Sequence, residues 1–342
     1  MNGSAAYREA AEMPPVPPAL ASTHFLMKPL IFALAALGLA LLHSQCSPDK
    51  AGAADAPGGK KLVVMIAGSP SHGPGQHEHN AGILLLKKCL EQGAGTQVEI
   101  KHHLNGGWPA ADELAKADTV VIYADGGGRH PALQEDRLAQ LDKEMKRGCG
   151  FATIHYAVEP TIEKGQKEFL DWMGGCFEIN WSVNPHWQAE FKEFPAHPVA
   201  SGVKPFGTLD EWYFFMRFRE GMKGVTPILS SAAPESTMSR PDGHHSGNPH
   251  VRASVARGDK QHVAWASENA GGGRGFGFTG GHFHQGWANG DQRKLVLNAI
   301  LWTAKAEVPA AGVASTVTDE DMKANLDLKP GQGLPEKAKK AK

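Results

Sequence analysis

The stretch Lys61-Leu-Val-Val-Met-Ile-Ala67 is apolar without interruption from Leu62 and ends at Gly68-Ser-Pro. A continuous run of this kind is typical of a strand that is covered on both faces, as the strands of parallel sheets are. The run therefore predicts a central strand, and it opens the folded domain.

Strands and helices alternate on the C-terminal side of this run. Short apolar or alternating runs predict strands over 98–102, 119–123, 150–154, 225–230, 261–267 and 275–279. Helical spacing of apolar residues predicts helices over 81–91, 110–117, 134–147, 164–173 and 291–305. This alternation predicts an α/β fold with a mostly parallel open sheet and helices on both faces.

Polar residues follow the strands at the point where each strand ends. His72 follows the first strand, Asp125 the third and His155 the fourth, and Gly280-Gly-His-Phe-His284 follows the strand at 275–279. The carboxyl ends of parallel strands share one edge of an open sheet, and ligands bind there. We expect these residues, which are far apart in the sequence, to lie together at that edge.

Composition and charge exclude several classes of protein. Lys and Arg number 35 against 36 Asp and Glu, and no basic stripe is present, so no nucleic-acid partner is predicted. The 40 Gly and 23 Pro indicate a loop-rich chain rather than a helical bundle. Cys46 lies in the leader, and the three remaining cysteines exclude a complete disulfide framework while leaving one bridge open.

Both ends of the chain are predicted to lie outside the domain. Residues 1–26 are interpreted as the product of an upstream start of translation, and 27–50 as an export signal whose apolar run is too short to span a membrane. Cys46 is a candidate for a lipid anchor, and otherwise cleavage is expected between 51 and 56. Residues 51–60 are a predicted linker and 314–342 a predicted low-complexity tail. We expect an exported protein, in the periplasm or on the outer surface.

Several motifs in a fixed order resemble one known family. They are Ser71-His-Gly73, His79, His155, Asp210-Glu-Trp-Tyr213 and Gly280-Gly-His-Phe-His284. On these motifs the chain over 61–313 resembles ThuA-like domains, which are named for trehalose utilisation. The resemblance implies a fold similar to class I glutamine amidotransferases, with a flavodoxin-like sheet. Those enzymes place a nucleophilic Cys where this chain has His155, so a thiol-based glutaminase is not expected.

The histidines predict a metal site. Neutral imidazoles are good ligands for zinc and related divalent metals, and a catalytic zinc keeps three protein ligands and one open position. His72, His155 and His282 are expected at one edge of the sheet and His79 at the first helix start, so these four are the predicted ligands, with zinc as the first choice. Four other histidines are expected to be loop residues that at most line the mouth of the site: His77, His244, His245 and His250.

Carboxylates and aromatic residues complete the predicted site. Glu211 is predicted to act as a base or a further ligand, Asp125 as a catalytic carboxylate, and His284 as an acid, a base or a substrate contact. Aromatic faces suit the apolar face of a sugar ring. The predicted substrate contacts are Trp181, Tyr213, Trp287 and, beside them, His186.

The resemblance implies a sugar substrate, including sugars oxidised at ring carbon three. A ketone there acidifies the neighbouring C–H, so a metal would polarise the keto oxygen while a His or Glu removes the proton. Elimination, hydration or isomerisation would follow. Two alternatives stay open: a hydrolase that attacks a glycoside, ester or amide with metal-activated water, and a non-catalytic sugar-binding module at the cell surface.

Overall fold

The computed structural model describes residues 59–269 and 271–329. The strands are β1 (Lys61–Ala67), β2 (Val98–His103), β3 (Thr119–Tyr123), β4 (Gly150–Ile154), β5 (Gly175–Cys176), β6 (Trp187–Phe191), β7 (Phe206–Asp210), β8 (Arg217–Phe218), β9 (Val225–Ala232), β10 (Lys260–Glu268) and β11 (Arg274–Phe278). The α-helices are α1 (His79–Ala94), α2 (Ala111–Leu114), α3 (Arg137–Lys146), α4 (Gln166–Met173), α5 (Pro249–Ala256), α6 (Gly290–Thr303) and α7 (Asp319–Lys323). The predicted export signal and the candidate lipid anchor at Cys46 lie outside the described residues.

Seven strands form the central sheet in the order β2-β1-β3-β4-β11-β10-β9. The pairs from β2 across to β11 are all parallel, and β10 runs antiparallel to both β11 and β9. The prediction of a mostly parallel α/β fold is therefore confirmed. In the part of the chain described here, no helix combines the length and apolarity needed to cross a membrane.

Helices cover both faces of this sheet, which explains the unbroken apolar runs. Val63 and Met65 of β1 belong to the core on the α1 and α6 side, whereas Val64 and Ile66 belong to the core on the α3 and α4 side. Each fully buried aliphatic side chain contributes about 1.5–3 kcal/mol to folding. Because successive residues of β1 point into different cores, every position of the run is selected for apolarity.

The region 174–262 holds two small antiparallel sheets. One pairs β5 with β8 and the other pairs β6 with β7. The second sheet matters for the site because β7 ends at Asp210, and Glu211 follows it directly. The disulfide that the cysteine count leaves open is not formed, since Cys89, Cys149 and Cys176 are all free and buried.

The segment 314–329, the first part of the predicted low-complexity tail, contains ordered structure that contacts the domain. Thr318 and Asp321 form a capping box at the start of α7, and Asp327 and Lys329 are buried. Polar contacts, rather than extensive apolar burial, hold this segment to the domain. Residues 330–342 lie outside the described part of the chain.

Candidate metal centre

Three imidazoles and one carboxylate meet at the carboxyl edge of the sheet. His155 directly follows β4, Glu211 follows β7, His282 follows β11, and His77 lies in the loop between β1 and α1. One ligand-type atom of each lies within 4.8 Å of those of the other three. We call this set the four-residue group. Topology thus gathers residues from four separate segments, as expected at the ligand-binding edge of an open sheet.

The distances within the four-residue group are short. His77 Nε2 lies 3.0 Å from His282 Nδ1 and 3.1 Å from His155 Nε2. Glu211 Oε2 lies 3.0 Å from His282 Nδ1 and 3.5 Å from His155 Nε2. His77, His155 and His282 are buried, so water does not separate these groups.

In His77 and His155, the Nδ1 atom faces away from the group and the Nε2 atom faces into it. The contacts of Nδ1 indicate that Nε2 carries the lone pair. His77 Nδ1 lies 2.8 Å from the Asp125 carboxylate, and His155 Nδ1 lies 2.8 Å from the carbonyl oxygen of Thr279. Both partners accept hydrogen bonds, so each Nδ1 donates its proton outward. The two Nε2 lone pairs then face each other at 3.1 Å, which is unfavourable unless a cation lies between them. Carboxylate and carbonyl contacts of this kind orient metal-binding histidines, so the residues fit a metal ion.

Charge and burial favour the protonation states in which His77, His155 and Glu211 can bind a cation. Burial lowers the pKa of His77 to about 4 and takes the pKa of His155 well below 6.5, which keeps both rings neutral near pH 7. Burial would raise the pKa of Glu211, but its interactions with His186 and His282 outweigh that effect and hold the pKa below its ordinary value. The group therefore presents the neutral imidazoles of His77 and His155 and the ionised carboxylate of Glu211.

Two loops that carry members of the four-residue group are tied together by their backbones. The His77 N–H donates to the carbonyl of His282 (3.0 Å), and the His284 N–H donates to the carbonyl of Gly75 (2.9 Å). The buried Asp210 carboxylate accepts from the backbone N–H groups of Gly281 (2.7 Å) and His282 (3.0 Å). Burial raises the pKa of Asp210 to about 6, so it is still mostly ionised at neutral pH.

Backbone strain is concentrated at this edge of the sheet. His72, His77 and His155 have φ values of 56°, 45° and 57°, in the left-handed region. This conformation costs a non-glycine residue about 1–2 kcal/mol, and it persists where the surrounding structure imposes it. In this backbone conformation the side chains of His77 and His155 point toward the other members of the group.

Two of the four predicted metal ligands, His155 and His282, belong to the four-residue group, and the other two lie beside it. The His72 ring stacks on His77 at 3.6 Å and is partly exposed. His79 is fully buried, and its Nδ1 donates to the carbonyl of Ser69 (3.1 Å). Its Nε2 has no hydrogen-bond partner in the described structure and lies 3.8 Å from Asp125. His79 therefore packs behind Asp125.

The predicted catalytic residues lie in three different environments. Glu211 is in the four-residue group, and Asp125 lies behind it as the acceptor for His77 Nδ1. His284 is buried on the side of Glu78 and the segment 322–329, and neither of its ring nitrogens has a hydrogen-bond partner among the described residues. Asp125 thus orients His77, and the structure does not bring His284 to the group.

The predicted substrate contacts also divide. Tyr213 is buried beside the group, with its hydroxyl donating to Glu211 Oε2 (3.2 Å), and the half-exposed His186 lies 3.6 Å from Glu211 Oε1. Trp287 is fully buried, so its ring has no face open to a ligand. The Trp181 ring is covered by the Arg217 guanidinium, whose central carbon is 3.9 Å from the ring centroid. Of these four residues, only His186 is exposed beside the group.

His77 is the residue that sequence reasoning missed, since it was expected to be a loop residue. Its sequence signal was its place in a loop with His72 and His79, which does not distinguish among the three. His245 was also expected to be only a loop residue, but its Nε2 lies 3.1 Å from the buried Glu159 carboxylate. No similar contact of His244 or His250 with a carboxylate occurs in the described structure.

The fold and the site define an α/β protein with an open, mostly parallel sheet and a cluster of histidines at the carboxyl edge of that sheet. The family model for ThuA, described as trehalose utilisation, matches residues 64–303, and the chain belongs to this family. A solved structure described as ThuA-like, from Bacteroides uniformis, is 14% identical with a TM-score of 0.51 and covers 71% of this chain and 91% of its own. Another, from Parabacteroides merdae, is 14% identical with a TM-score of 0.49 and covers 77% and 99%. The first likeness supports the fold alone. No curated protein matches.

Proposed function

We propose that this protein is a divalent-metal-dependent enzyme that acts on carbohydrates. His77, His155, His282 and Glu211 would hold the ion, for which zinc is the first choice because imidazole and carboxylate are ligands it accepts. The observation that carries the proposal is the 3.1 Å distance between the Nε2 atoms of His77 and His155, two rings whose Nδ1 atoms both contact hydrogen-bond acceptors. When bound, the ion would polarise an oxygen atom of the substrate.

The side chains at the open side of the group would move protons. His72 and His186 are the imidazoles that flank His282, with ring centroids 5.9 and 5.0 Å away, and both reach solvent. We assign one as the acceptor of the proton next to a sugar carbonyl and the other as a proton donor to the substrate. Asn184 donates to Glu211 Oε1 (3.1 Å), and Tyr213 donates to Oε2, so both oxygens of the carboxylate are held in place.

The sugar substrate rests on the family description and on the chemistry of the group. Removal of a proton next to a carbonyl requires a polarised oxygen and a nearby base, which this arrangement would supply. A sugar that carries a ketone at ring carbon three offers such a proton. We therefore propose 3-keto-glycosides as the substrate class.

Metal content tests the proposed centre. Purified protein is expected to hold about one equivalent of a divalent metal. The variants His155→Ala and His282→Ala are expected to lose most of it. His262→Ala is the matched control, because His262 lies in β10 and pairs with Ser230 (2.8 Å), away from the group. Full metal content in both site variants would contradict the proposal.

A substrate panel tests the reaction. Turnover of 3-keto-glycosides, but not of the parent glycosides, with loss of turnover in chelator, supports proton abstraction. Equal turnover of parent glycosides or esters would instead show a metal-dependent hydrolase. Sugar binding that chelator does not change, without any turnover, would show a binding module and overturn the proposed enzyme.

A further inference from the structure

Lys329 is a buried lysine next to the loop that carries His77. Its ammonium donates to the carbonyl oxygens of Gln76 (2.7 Å) and His77 (3.1 Å) and lies 3.3 Å from the Glu78 carboxylate. The side chain is 1% exposed. An ammonium group is buried only where charge partners and acceptors replace water. Here these partners include the three consecutive residues 76–78.

Glu78 links the same loop to the segment that carries Lys329. Its Oε1 accepts from the N–H of Gly75 (2.8 Å), and its Oε2 accepts from the N–H of Asp327 (2.6 Å). Asp327 also accepts from the Asn80 side chain, at the start of α1. The segment 327–329 therefore contacts both sides of His77 along the chain.

The need for such a support follows from the conformation of the loop. His77 has a φ of 45°, and its ring must keep one nitrogen on Asp125 and the other toward His155 and His282. A strained loop residue holds its direction only where the surroundings impose it. The carbonyls of Gln76 and His77, which Lys329 binds, belong to the two peptide groups on either side of the His77 Cα, so holding both restrains the backbone from which the ring projects.

We infer that Lys329 is a positioning residue that holds His77 in the metal-binding direction from outside the matched family region, 64–303. The inference rests on the proposed metal centre for its functional meaning. Without the ammonium, the carbonyls of Gln76 and His77 and the Glu78 carboxylate lose their common partner. The loop then relaxes, and His77 leaves the other three ligands.

The test compares Lys329→Met with Lys88→Met in the full chain. Lys88 pairs with Asp321 at the surface, so this control removes a lysine contact to the same C-terminal segment without touching the loop. Zn²⁺ affinity is measured by competition with a chromophoric chelator, well below the unfolding temperature. Lys329→Met is expected to bind Zn²⁺ about 10–100-fold more weakly than wild type, as when an outer contact of a ligand is lost. Lys88→Met is expected to stay within about twofold, because exposed ion pairs contribute little.

Hydrogen exchange on metal-free protein separates positioning from general stability. Amides of 75–79 and 282–284 are expected to exchange faster in Lys329→Met, while those of β1, β3 and β4 keep their wild-type protection. Equal acceleration in the loop and the strands would show a merely structural role and overturn the inference, as would unchanged Zn²⁺ affinity.

A milder variant keeps the test decisive if Lys329→Met does not fold. Lys329→Gln keeps a donor for the carbonyls and is expected to give smaller changes in the same direction, and no change in the loop overturns the inference. If wild-type protein binds no Zn²⁺, the proposed function fails, whereas the exchange comparison still tests whether Lys329 holds the loop.

Discussion

At the scale of single residues, hydrogen-bond acceptors decide what the four-residue group can bind. Asp125 and the Thr279 carbonyl draw the Nδ1 protons of His77 and His155 outward, so the inner nitrogens are acceptors. Asp125 therefore orients the His77 ring. Its carboxylate also accepts from the Ser71 hydroxyl (2.9 Å), which fixes its own orientation.

Replacing Asp125 by Asn tests this role. The variant keeps the shape of the side chain but removes the charge that orients and polarises His77. We expect Zn²⁺ affinity to fall about 10–100-fold, measured by chelator competition. Asp136→Asn is the matched control, because Asp136 is exposed before α3 and is expected to leave affinity unchanged. Equal affinities of the two variants would contradict the role of Asp125.

The buried His130 is expected to make the free energy of unfolding depend on pH, whether or not a metal is bound. Its Nε2 donates to the carbonyl of Ala157 (3.0 Å), its Nδ1 accepts from the N–H of Ala132 (3.0 Å), and burial lowers its pKa to about 4. The unfolded chain binds the proton near pH 6.5. Below that pH the unfolded state gains a proton that the folded state does not, so stability is complete above about 6.5 and falls as the pH approaches 4.

The variant His130→Gln is neutral at every pH and isolates this effect. Between pH 7.5 and 5, the fall in the free energy of unfolding is expected to be about 2 kcal/mol smaller than in wild type. Urea unfolding in chelator measures it, and the exposed His102→Gln serves as control. An identical pH dependence in His130→Gln and wild type would rule out this contribution.

At the scale of elements, burial on two faces decides what the sequence reveals. β1, β3 and β4 could be predicted because helices cover both sides of each, so an unbroken apolar run marks them. β6 was not predicted, since its exposed residues alternate with buried ones over only five positions. The predicted ends of the helices differ by a few residues from those in the structure. For example, α1 was predicted over 81–91 and spans His79–Ala94.

The candidate site was predictable only where strand position determines it. His155 follows β4 directly and His282 lies in the turn after β11, so the sequence places both at the carboxyl edge. His77 could not be separated from the other histidines of its loop, because its direction depends on pairing of 75–77 with 282–284, about 200 residues away. Local sequence carries no signal for such a contact.

The turn after β11 has a strict conformational requirement. Gly281 has a φ of 104°, and a Cβ there would lie 3.3 Å from the Trp287 ring. Gly281→Ala is expected to lower the free energy of unfolding by about 2–3 kcal/mol and to displace His282. Gly258→Ala is the matched control: its φ is 72°, and nothing lies within 4 Å of the added Cβ.

Urea unfolding and Zn²⁺ affinity distinguish the two glycine variants. The control is expected to lose only about 1 kcal/mol from backbone strain and to retain its Zn²⁺ affinity. Equal loss of stability and equal affinity in both variants would show that crowding against Trp287 does not matter.

At the scale of the whole molecule, the folded unit extends past the matched family region. Arg293 of α6 donates to Ser315 Oγ (3.0 Å), and Thr316 N–H donates to the Gln92 side chain (3.1 Å). These contacts lead the chain back to α1, and Lys329 lies beside the loop that carries His77. The sequence does not predict this extension of the folded unit, because the segment is polar and the residues it contacts are far away along the chain.

A chain that ends at Val313, the predicted domain boundary, is therefore expected to be less stable than one that ends at Leu334. The shorter chain leaves the buried Glu78 carboxylate without Lys329 and without the Asp327 N–H. Breaking a buried charge pair costs about 3–5 kcal/mol when the remaining charge stays buried. This value is the upper end of the expected difference, because removal of the segment also opens Glu78 to water. Urea unfolding of the two chains measures the difference. Equal unfolding free energies would mean that 314–329 adds nothing to the fold, and the support of His77 by Lys329 would then lose its energetic basis.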